Sequence, residues 1–228
     1  DGSLFGGDVD TDEDGDGIPE RRQRGLKNIS AAIDVAHGEF PNPRRILLSG
    51  SSGGGYGTII ATMLVRWTWP DASLYVLNDS GVGLGIDGDP SFVHGIMDEF
   101  NALDLIPNSE PTLLDGGHLS AFIDWQLGQD PNLKVGAISH LTDYVISQMY
   151  LEVPFTDFEA WLRDETDRIQ GNWPGQYEYF LPSGSQHTSL LGDPSGFVDP
   201  DDPYASIGSA VMGSMTETKV DDVTVSHW

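Results

Sequence analysis

Apolar residues recur along the chain at two spacings, and these spacings predict alternating helices and strands. Leu26, Ile29 and Ile33 follow the helical repeat, so a helix is predicted over 25–40. The same pattern predicts helices over 54–67, 91–102, 119–127, 155–170 and 206–215. Short apolar runs, typical of buried strands, predict strands over 44–50, 72–81, 133–139 and 177–181. This alternation favours an α/β fold with a mainly parallel sheet and helices on both faces.

The length and composition favour one domain with a hydrophobic core. No repeat or linker divides the sequence, so we expect a single domain over residues 1–228, with an acidic loop at residues 1–23. Hydrophobic residues make up 38% of the chain, yet no apolar run reaches the roughly 18 residues of a membrane span. The absence of cysteine excludes disulfides and cysteine-ligated metals.

The charge balance restricts the partners that the protein can bind. There are 11 Lys and Arg residues against 36 Asp and Glu residues, which gives a net charge of −25. Nucleic acids and anionic membranes need cationic surface, so neither is expected as a partner. An acidic surface with few lysines is typical of a salty or extracellular setting, and we expect a secreted protein. An ordinary soluble acidic protein would have the same composition.

A nucleophile motif stands between a predicted strand and a predicted helix. Gly50-Ser51-Ser52-Gly53-Gly54 fits G-x-S-x-G and directly follows the apolar run at 44–50. Small flanking residues permit the tight turn that presents the serine hydroxyl at a helix N-terminus. We therefore predict Ser52 as a nucleophile, with the Gly53 N–H donating to an oxyanion. The alternative is a plain glycine- and serine-rich turn.

A serine nucleophile needs a base and a carboxylate, and in this fold they follow it in the order acid, then histidine. His187 follows the strand at 177–181, and Asp143 follows the strand at 133–139. Asp79, at the end of the preceding strand, is the alternative acid, and the alternative role for Asp143 is to cap a helix. His140 is expected to be structural or to line the pocket.

The acidic loop has carboxylates at the spacing of a calcium loop. Starting from Asp12, the third, fifth and ninth positions hold Asp14, Asp16 and Glu20, and the Ile18 carbonyl occupies the seventh. The twelfth position departs from the EF-hand pattern because it is not a glutamate. We expect either a structural Ca²⁺ site or a solvated acidic loop, and no metal for catalysis.

Several blocks resemble one enzyme family. Gly50-Ser51-Ser52-Gly53-Gly54-Gly55 resembles the nucleophile block of the pectinacetylesterase and Notum family of α/β-hydrolase carboxylesterases. Three further segments are similar to family segments in the same order: Asp1–Asp8, Arg24–Asn28 and Leu77–Gly81. Asp143 and His187 fall where the family's acid and base would fall. The resemblance implies an α/β-hydrolase fold and removal of an acetyl or fatty acyl group from a glycan or lipid.

The chain departs from the family in three ways. It has no disulfides, and Val82 and Gly83 stand where aromatic residues often follow the Asp-Ser-Gly turn. The family's Gly-Gly-Trp block, which supplies further oxyanion donors, has no equivalent here. We therefore expect the fold to lack its N-terminal part, with an upstream segment or a second chain completing it.

Taken together, these patterns predict a serine carboxylic ester hydrolase with a Ser52, Asp143 and His187 triad. Expected substrates are glycan, lipid or polyester esters, because a polyanionic substrate such as pectin would be repelled at low salt. One alternative is a non-catalytic, calcium-dependent binding or structural module on a hydrolase fold. Another is a peptidase or amidase with the same triad.

Overall fold

The computed structural model of the protein describes residues 6–190 and 224–225. The strands are β1 (Asp10–Thr11), β2 (Arg21–Arg22), β3 (Arg45–Ser51), β4 (Ser73–Asp79), β5 (Leu133–Ile138), β6 (Tyr177–Leu181) and β7 (Thr224–Val225). The α-helices are α1 (Gly25–Glu39), α2 (Gly53–Thr68), α3 (Ser91–Glu99), α4 (Ser120–Gln129) and α5 (Phe155–Asn172). A short 3₁₀ turn covers Leu103–Leu105, and a π-helix covers Val145–Tyr150.

The predicted elements between residues 25 and 181 are all present. Most of their ends agree with the prediction to within two residues, but the helix predicted over 91–102 ends at Glu99. The patterns did not predict the antiparallel β1–β2 pair or the π-helix. The helix predicted over 206–215 lies outside the described residues.

The main sheet has the order β3-β4-β5-β6-β7, in which β3 to β6 run parallel and β7 is antiparallel to β6. This confirms an α/β fold with a mainly parallel sheet. The parallel strands lie side by side in chain order, so right-handed crossovers place their connecting helices on the same face. The carboxyl ends of these four strands therefore meet at one edge, together with the loops that follow them.

The two faces of the sheet differ in burial, and within the described residues the expectation of helices on both faces is met on one face only. Leu74, Val76 and Val135 are at most 5% exposed and pack into the hydrophobic core. The intervening register row of Leu47, Tyr75 and Lys134 is exposed. Within the described residues, helices therefore cover one face of the sheet and leave this row open.

The strand before the motif is also less buried than its apolar run predicts. β3 is an edge strand of the sheet, and Leu47 in its centre is 68% exposed. Its other apolar side chains, Ile46 and Leu48, are only partly buried against the core. Apolar content alone predicted burial here, whereas burial depends on what packs against each face.

The helix that follows β3 has more buried residues than any other helix in the described fold. Seven of the eight residues from Gly55 to Thr62 are buried, and α2 packs on both β3 and β4. Its N-terminus approaches the turn after β4 so closely that a Cβ on Gly81 would lie 2.5 Å from the Gly55 Cα. This contact brings Ser52 beside the carboxyl ends of the neighbouring strands.

Candidate active site

Ser52 occupies a strained turn between β3 and α2. Its φ of 57° and ψ of −124° lie in a region that residues with a Cβ rarely adopt. The turn is held from the next strand, because the Ser52 N–H donates to the Asp79 carbonyl at 2.8 Å. Gly50 is required here, since a Cβ on it would lie 2.1 Å from the Gly54 carbonyl oxygen. The strain is concentrated at the residue whose hydroxyl is presented, as in a nucleophile elbow.

The structure brings Ser52, His187 and Asp143 together, although they are far apart in sequence. The His187 Nε2 lies 2.6 Å from the Ser52 Oγ. The His187 Nδ1 lies 3.0 Å and 2.9 Å from the two Asp143 carboxylate oxygens. The Asp143 side chain is fully buried, and 19% of the His187 side chain is exposed. A hydroxyl, an imidazole and a carboxylate in this order can activate the hydroxyl as a nucleophile.

The geometry separates the two candidate acids. Asp143 faces the His187 ring, while the Asp79 carboxylate accepts hydrogen bonds from the Ser51 hydroxyl and from backbone N–H groups. Asp143 also accepts the Ile146 N–H at 3.0 Å, so it contacts the histidine and caps the π-helix at the same time. The two interpretations of Asp143 are therefore compatible.

Backbone hydrogen bonds connect the loop that carries the acid to the loop that carries the base. The Thr142 N–H and hydroxyl both donate to the Gly184 carbonyl, at 3.1 Å and 2.8 Å. The Tyr144 N–H donates to the Ser185 carbonyl at 3.1 Å. These bonds fix the two loops relative to each other, so the contact between His187 and Asp143 does not depend on the side chains alone.

Backbone groups beside Ser52 are available to bind an oxyanion. Gly53 is the first residue of α2, where N–H groups lack intrahelical acceptors and the helix field favours negative charge. Gly6 lines the same cavity as Ser52 and Gly53, and because glycine has no side chain it presents backbone atoms. In the sequence, Gly6 belongs only to a segment that resembles the family, and no pattern there gave it a role in the site.

An apolar cavity of about 370 Å³ opens beside Ser52. Its wall is formed mainly by aliphatic and aromatic side chains, including Tyr56, Leu84, Phe92, Ile96, Ile146 and Tyr150. Burial raises the pKa of Tyr150 to about 12, and burial raises the pKa of Tyr56 well above its ordinary value, so both phenols are neutral. Glu99 is the only charged residue among the described lining residues, and it contacts Arg21 at 3.5 Å.

Aromatic contacts hold one wall of this cavity. The Tyr150 ring packs edge-on against Tyr56 and Phe92, with ring centroids 5.6 Å and 5.4 Å apart. The Tyr56 hydroxyl donates to the Leu84 carbonyl at 2.8 Å. The patterns predicted the helix that carries Phe92, but helical spacing does not tell which pocket a helix lines. No sequence signal identified Tyr150.

His140 lies beside the triad but is not aligned with the serine. Burial lowers its pKa, and Asp143 and Asp79 only partly oppose that effect. Its Nδ1 has no hydrogen-bond partner among the described residues, and His140 does not line the cavity. His140 is therefore a buried, neutral side chain, and it does not take the pocket-lining role that was one of the two expected for it.

The acidic loop forms a cluster of carboxylate oxygens that includes no residue of the triad. Ligand oxygens of Asp12, Asp14, Asp16 and Glu20 lie within 4.8 Å of one another, and all four residues are exposed. Asp12 accepts the N–H groups of Gly15 and Gly17 at 2.6 Å and 2.7 Å, which curls the loop. The Ile18 N–H donates to Asp16 at 2.7 Å. Carboxylate oxygens suit Ca²⁺, and its binding here remains a prediction.

Comparisons with known proteins do not name a family for this chain. Neither a scan against protein-family models nor a search of curated proteins found a match. Among the described residues, no helix combines the length and apolar character that crossing a membrane requires.

Proposed function

We propose that the protein is a serine carboxylic ester hydrolase. The observation that carries the proposal is the continuous contact from the Ser52 Oγ through His187 to the buried Asp143 carboxylate. Ser52 also has the strained φ of 57° at a strand-to-helix turn. This combination supports acyl transfer more than a structural turn, which would not need an aligned histidine and acid.

The proposed reaction proceeds through an acyl-enzyme. The Ser52 Oγ attacks the ester carbonyl carbon while its proton passes to the His187 Nε2, and the carbonyl π electrons move to the oxygen. Asp143 holds the imidazole and stabilises the imidazolium, and the Gly53 N–H donates to the oxyanion. Collapse expels the alcohol, which takes the proton from His187. Water then adds by the same route and releases the carboxylic acid and free Ser52.

The cavity beside Ser52 favours an apolar acyl group longer than acetyl. A volume of about 370 Å³ far exceeds two carbon groups, given that a water-sized group fills about 30 Å³. Each buried methylene contributes about 0.8 kcal/mol, or roughly fourfold in kcat/KM. From acetate to hexanoate the four added methylenes therefore raise kcat/KM by at most roughly 200-fold.

The charge of the protein restricts the alcohol side of the substrate. A net charge of −25 repels polyanionic substrates at low ionic strength. We therefore propose a neutral glycan, lipid or polyester as the partner of the acyl group. The acidic loop has no place in the chemistry, because its carboxylates lie outside the described lining of the cavity.

The test is covalent labelling followed by kinetics. Intact mass after incubation with a fluorophosphonate should show one adduct on the wild type and on Ser30→Ala, a control on the remote helix α1, and none on Ser52→Ala. The kcat/KM for p-nitrophenyl esters should then rise with acyl length from acetate to hexanoate. No adduct and no esterase activity in the wild type would reject the enzyme and favour a non-catalytic module.

A second comparison separates esterase from amidase. The p-nitrophenyl ester and the p-nitroanilide of hexanoate carry the same acyl group, so both should bind in the same cavity. We expect hydrolysis of the ester to exceed that of the anilide by orders of magnitude. Comparable rates would reassign the protein as an amidase with the same triad.

A further inference from the structure

Asp79 and Ser80, at the end of β4, bind the three consecutive N–H groups that follow His187. The Thr188 N–H donates to the Ser80 Oγ at 3.0 Å. The Ser189 N–H donates to the Asp79 carboxylate at 2.8 Å, and the Leu190 N–H donates to it at 2.9 Å. Both residues of this pair, here called the clamp, are at most 1% exposed.

The clamp also holds the nucleophile side of the site. The Ser51 Oγ donates to the Asp79 carboxylate at 2.9 Å, and the Ser52 N–H donates to the Asp79 carbonyl at 2.8 Å. A single residue thus contacts both the turn that presents Ser52 and the loop that carries His187. Its position controls the relative position of the two reacting atoms.

The backbone at these contacts is strained, so the clamp must hold these residues in a conformation that they would otherwise leave. Ser80 has a φ of 56° and Thr188 a φ of 64°. A β-branched residue such as threonine is rarely found in this left-handed region. Strained backbone persists only where surrounding contacts determine it, and the Ser80 hydroxyl bond to the Thr188 N–H is such a contact. Without the clamp, the residues next to His187 would relax.

Hydrogen bonds from neutral donors stabilise the Asp79 carboxylate. Its carboxylate is fully buried, and the donors bonded to it are one hydroxyl and two backbone N–H groups. A carboxylate accepts several such bonds at once, whereas an amide side chain has one oxygen and would direct its own N–H groups at other donors. An aspartate is therefore suited to this position in a way that asparagine is not.

We propose that Asp79 and Ser80 are positioning residues that set the distance between the His187 Nε2 and the Ser52 Oγ. The inference rests on the proposed ester hydrolysis. The clamp does not touch the reacting atoms of the substrate, so it acts through His187 and Ser52. Its loss should lower kcat and leave KM nearly unchanged, because neither residue lines the cavity beside Ser52.

The kinetic test compares Asp79→Asn and Ser80→Ala with Asp130→Asn. Asp130 forms a partly buried ion pair with Arg66 outside the site, so its substitution controls for general destabilisation. We expect kcat for p-nitrophenyl hexanoate to fall about 10²-fold in Asp79→Asn, the cost of a displacement of about 1 Å. Ser80→Ala should show a smaller fall without a change of charge. Asp130→Asn should retain the wild-type kcat.

Two further readouts separate positioning from general stabilisation. In a His187→Ala background, Asp79→Asn should cost much less in the rate of fluorophosphonate labelling than it costs with His187 present, because the loop contacts have no histidine left to position and only the contacts with Ser51 and Ser52 remain. Hydrogen exchange of a peptide covering 186–190 should be faster in Asp79→Asn than in the wild type. That measurement does not depend on activity.

The results of these experiments distinguish failure of the proposed function from failure of the positioning role. A wild type without esterase activity rejects the proposed function and the inference together. With an active wild type, the inference is overturned by any of three results: an unchanged kcat in Asp79→Asn, a loss confined to KM, or a full additional loss in the His187→Ala background. A kcat loss in Asp79→Asn with wild-type exchange at 186–190 and no effect of Ser80→Ala would assign the effect to charge, and would also reject positioning.

Discussion

Replacing Asp143 by asparagine tests the alignment of the triad most directly. In the structure the Asp143 Oδ1 accepts the Ile146 N–H at 3.0 Å. An asparagine at position 143 must keep its side-chain oxygen toward the Ile146 N–H, because an NH₂ group there would place two hydrogen-bond donors against each other. The NH₂ group then takes the place of Oδ2, which lies 2.9 Å from the His187 Nδ1. A proton on Nδ1 would then face the NH₂ group, so the amide favours the tautomer with the proton on Nε2, although Nδ1 also lies 3.0 Å from the Oδ1 position.

The expected loss of kcat in Asp143→Asn follows from the tautomer of the His187 ring. A proton on Nε2 points at the Ser52 Oγ, 2.6 Å away, so the ring cannot take the proton of the nucleophile. A histidine held in the wrong tautomer costs about 10⁴-fold in kcat, which is roughly 5.4 kcal/mol of transition-state stabilisation. KM should change little, because Asp143 does not line the cavity.

The assay is steady-state hydrolysis of p-nitrophenyl hexanoate, with the melting temperature measured in parallel. The amide is isosteric and keeps the bond to Ile146, so we expect the fold to survive. The rival acid serves as the comparison: Asp79→Asn should lose about 10²-fold, roughly 100 times less than Asp143→Asn. A folded Asp143→Asn variant that loses less than tenfold would refute the assignment of Asp143 as the acid.

Three further predictions concern the cavity, the acidic loop and the stability of the fold. Tyr150→Ala should open the cavity wall and shift the ester-chain optimum to longer acyl groups, by about fourfold in kcat/KM per newly enclosed methylene, measured with the p-nitrophenyl series. If the loop binds Ca²⁺, millimolar calcium should raise the melting temperature of the wild type and of the exposed variant Asp71→Asn but not of Asp14→Asn; an equal rise in all three would indicate nonspecific binding. Burial alone would raise the pKa of Glu165, but hydrogen bonds from Arg168 and Ser120 hold it below 4.5. The stability that this depressed pKa contributes is present above pH 4.5 and is lost as the pH falls through the folded-state pKa, so the melting-temperature difference between wild type and Glu165→Gln should shrink on acidification; a constant difference would contradict this.

Local patterns predicted most helices and strands, because the apolar spacing that identifies each element lies within its own segment. The helix at α1 and the strand at β6 follow from apolar spacing within each segment, which reports which side chains share a face. The same patterns misjudged β3, because Leu47 is exposed at a sheet edge. They also missed the π-helix at 145–150, where no spacing distinguishes six-residue π geometry from a loop.

The sequence could identify a candidate site residue wherever the residue type and its place after a predicted strand were enough to suggest its role. Ser52 stands in a motif that joins a strand to a helix, and His187 and Asp143 follow the last two parallel strands. Sequence order left Asp79 open as the acid, because both aspartates follow strands that end at the same edge of the sheet. The choice needed the position of the His187 ring.

The sequence by itself determined the alternation of helices and strands, the motif around Ser52 and the strongly acidic surface, because each depends on neighbours along the chain or on composition alone. Only the tertiary structure decided that Asp143 faces His187, that Asp79 binds the loop after it, and that Tyr150 and Phe92 enclose an apolar cavity beside the serine. These contacts join residues tens of positions apart. Their distances depend on how strands pair and loops pack, which no local pattern records.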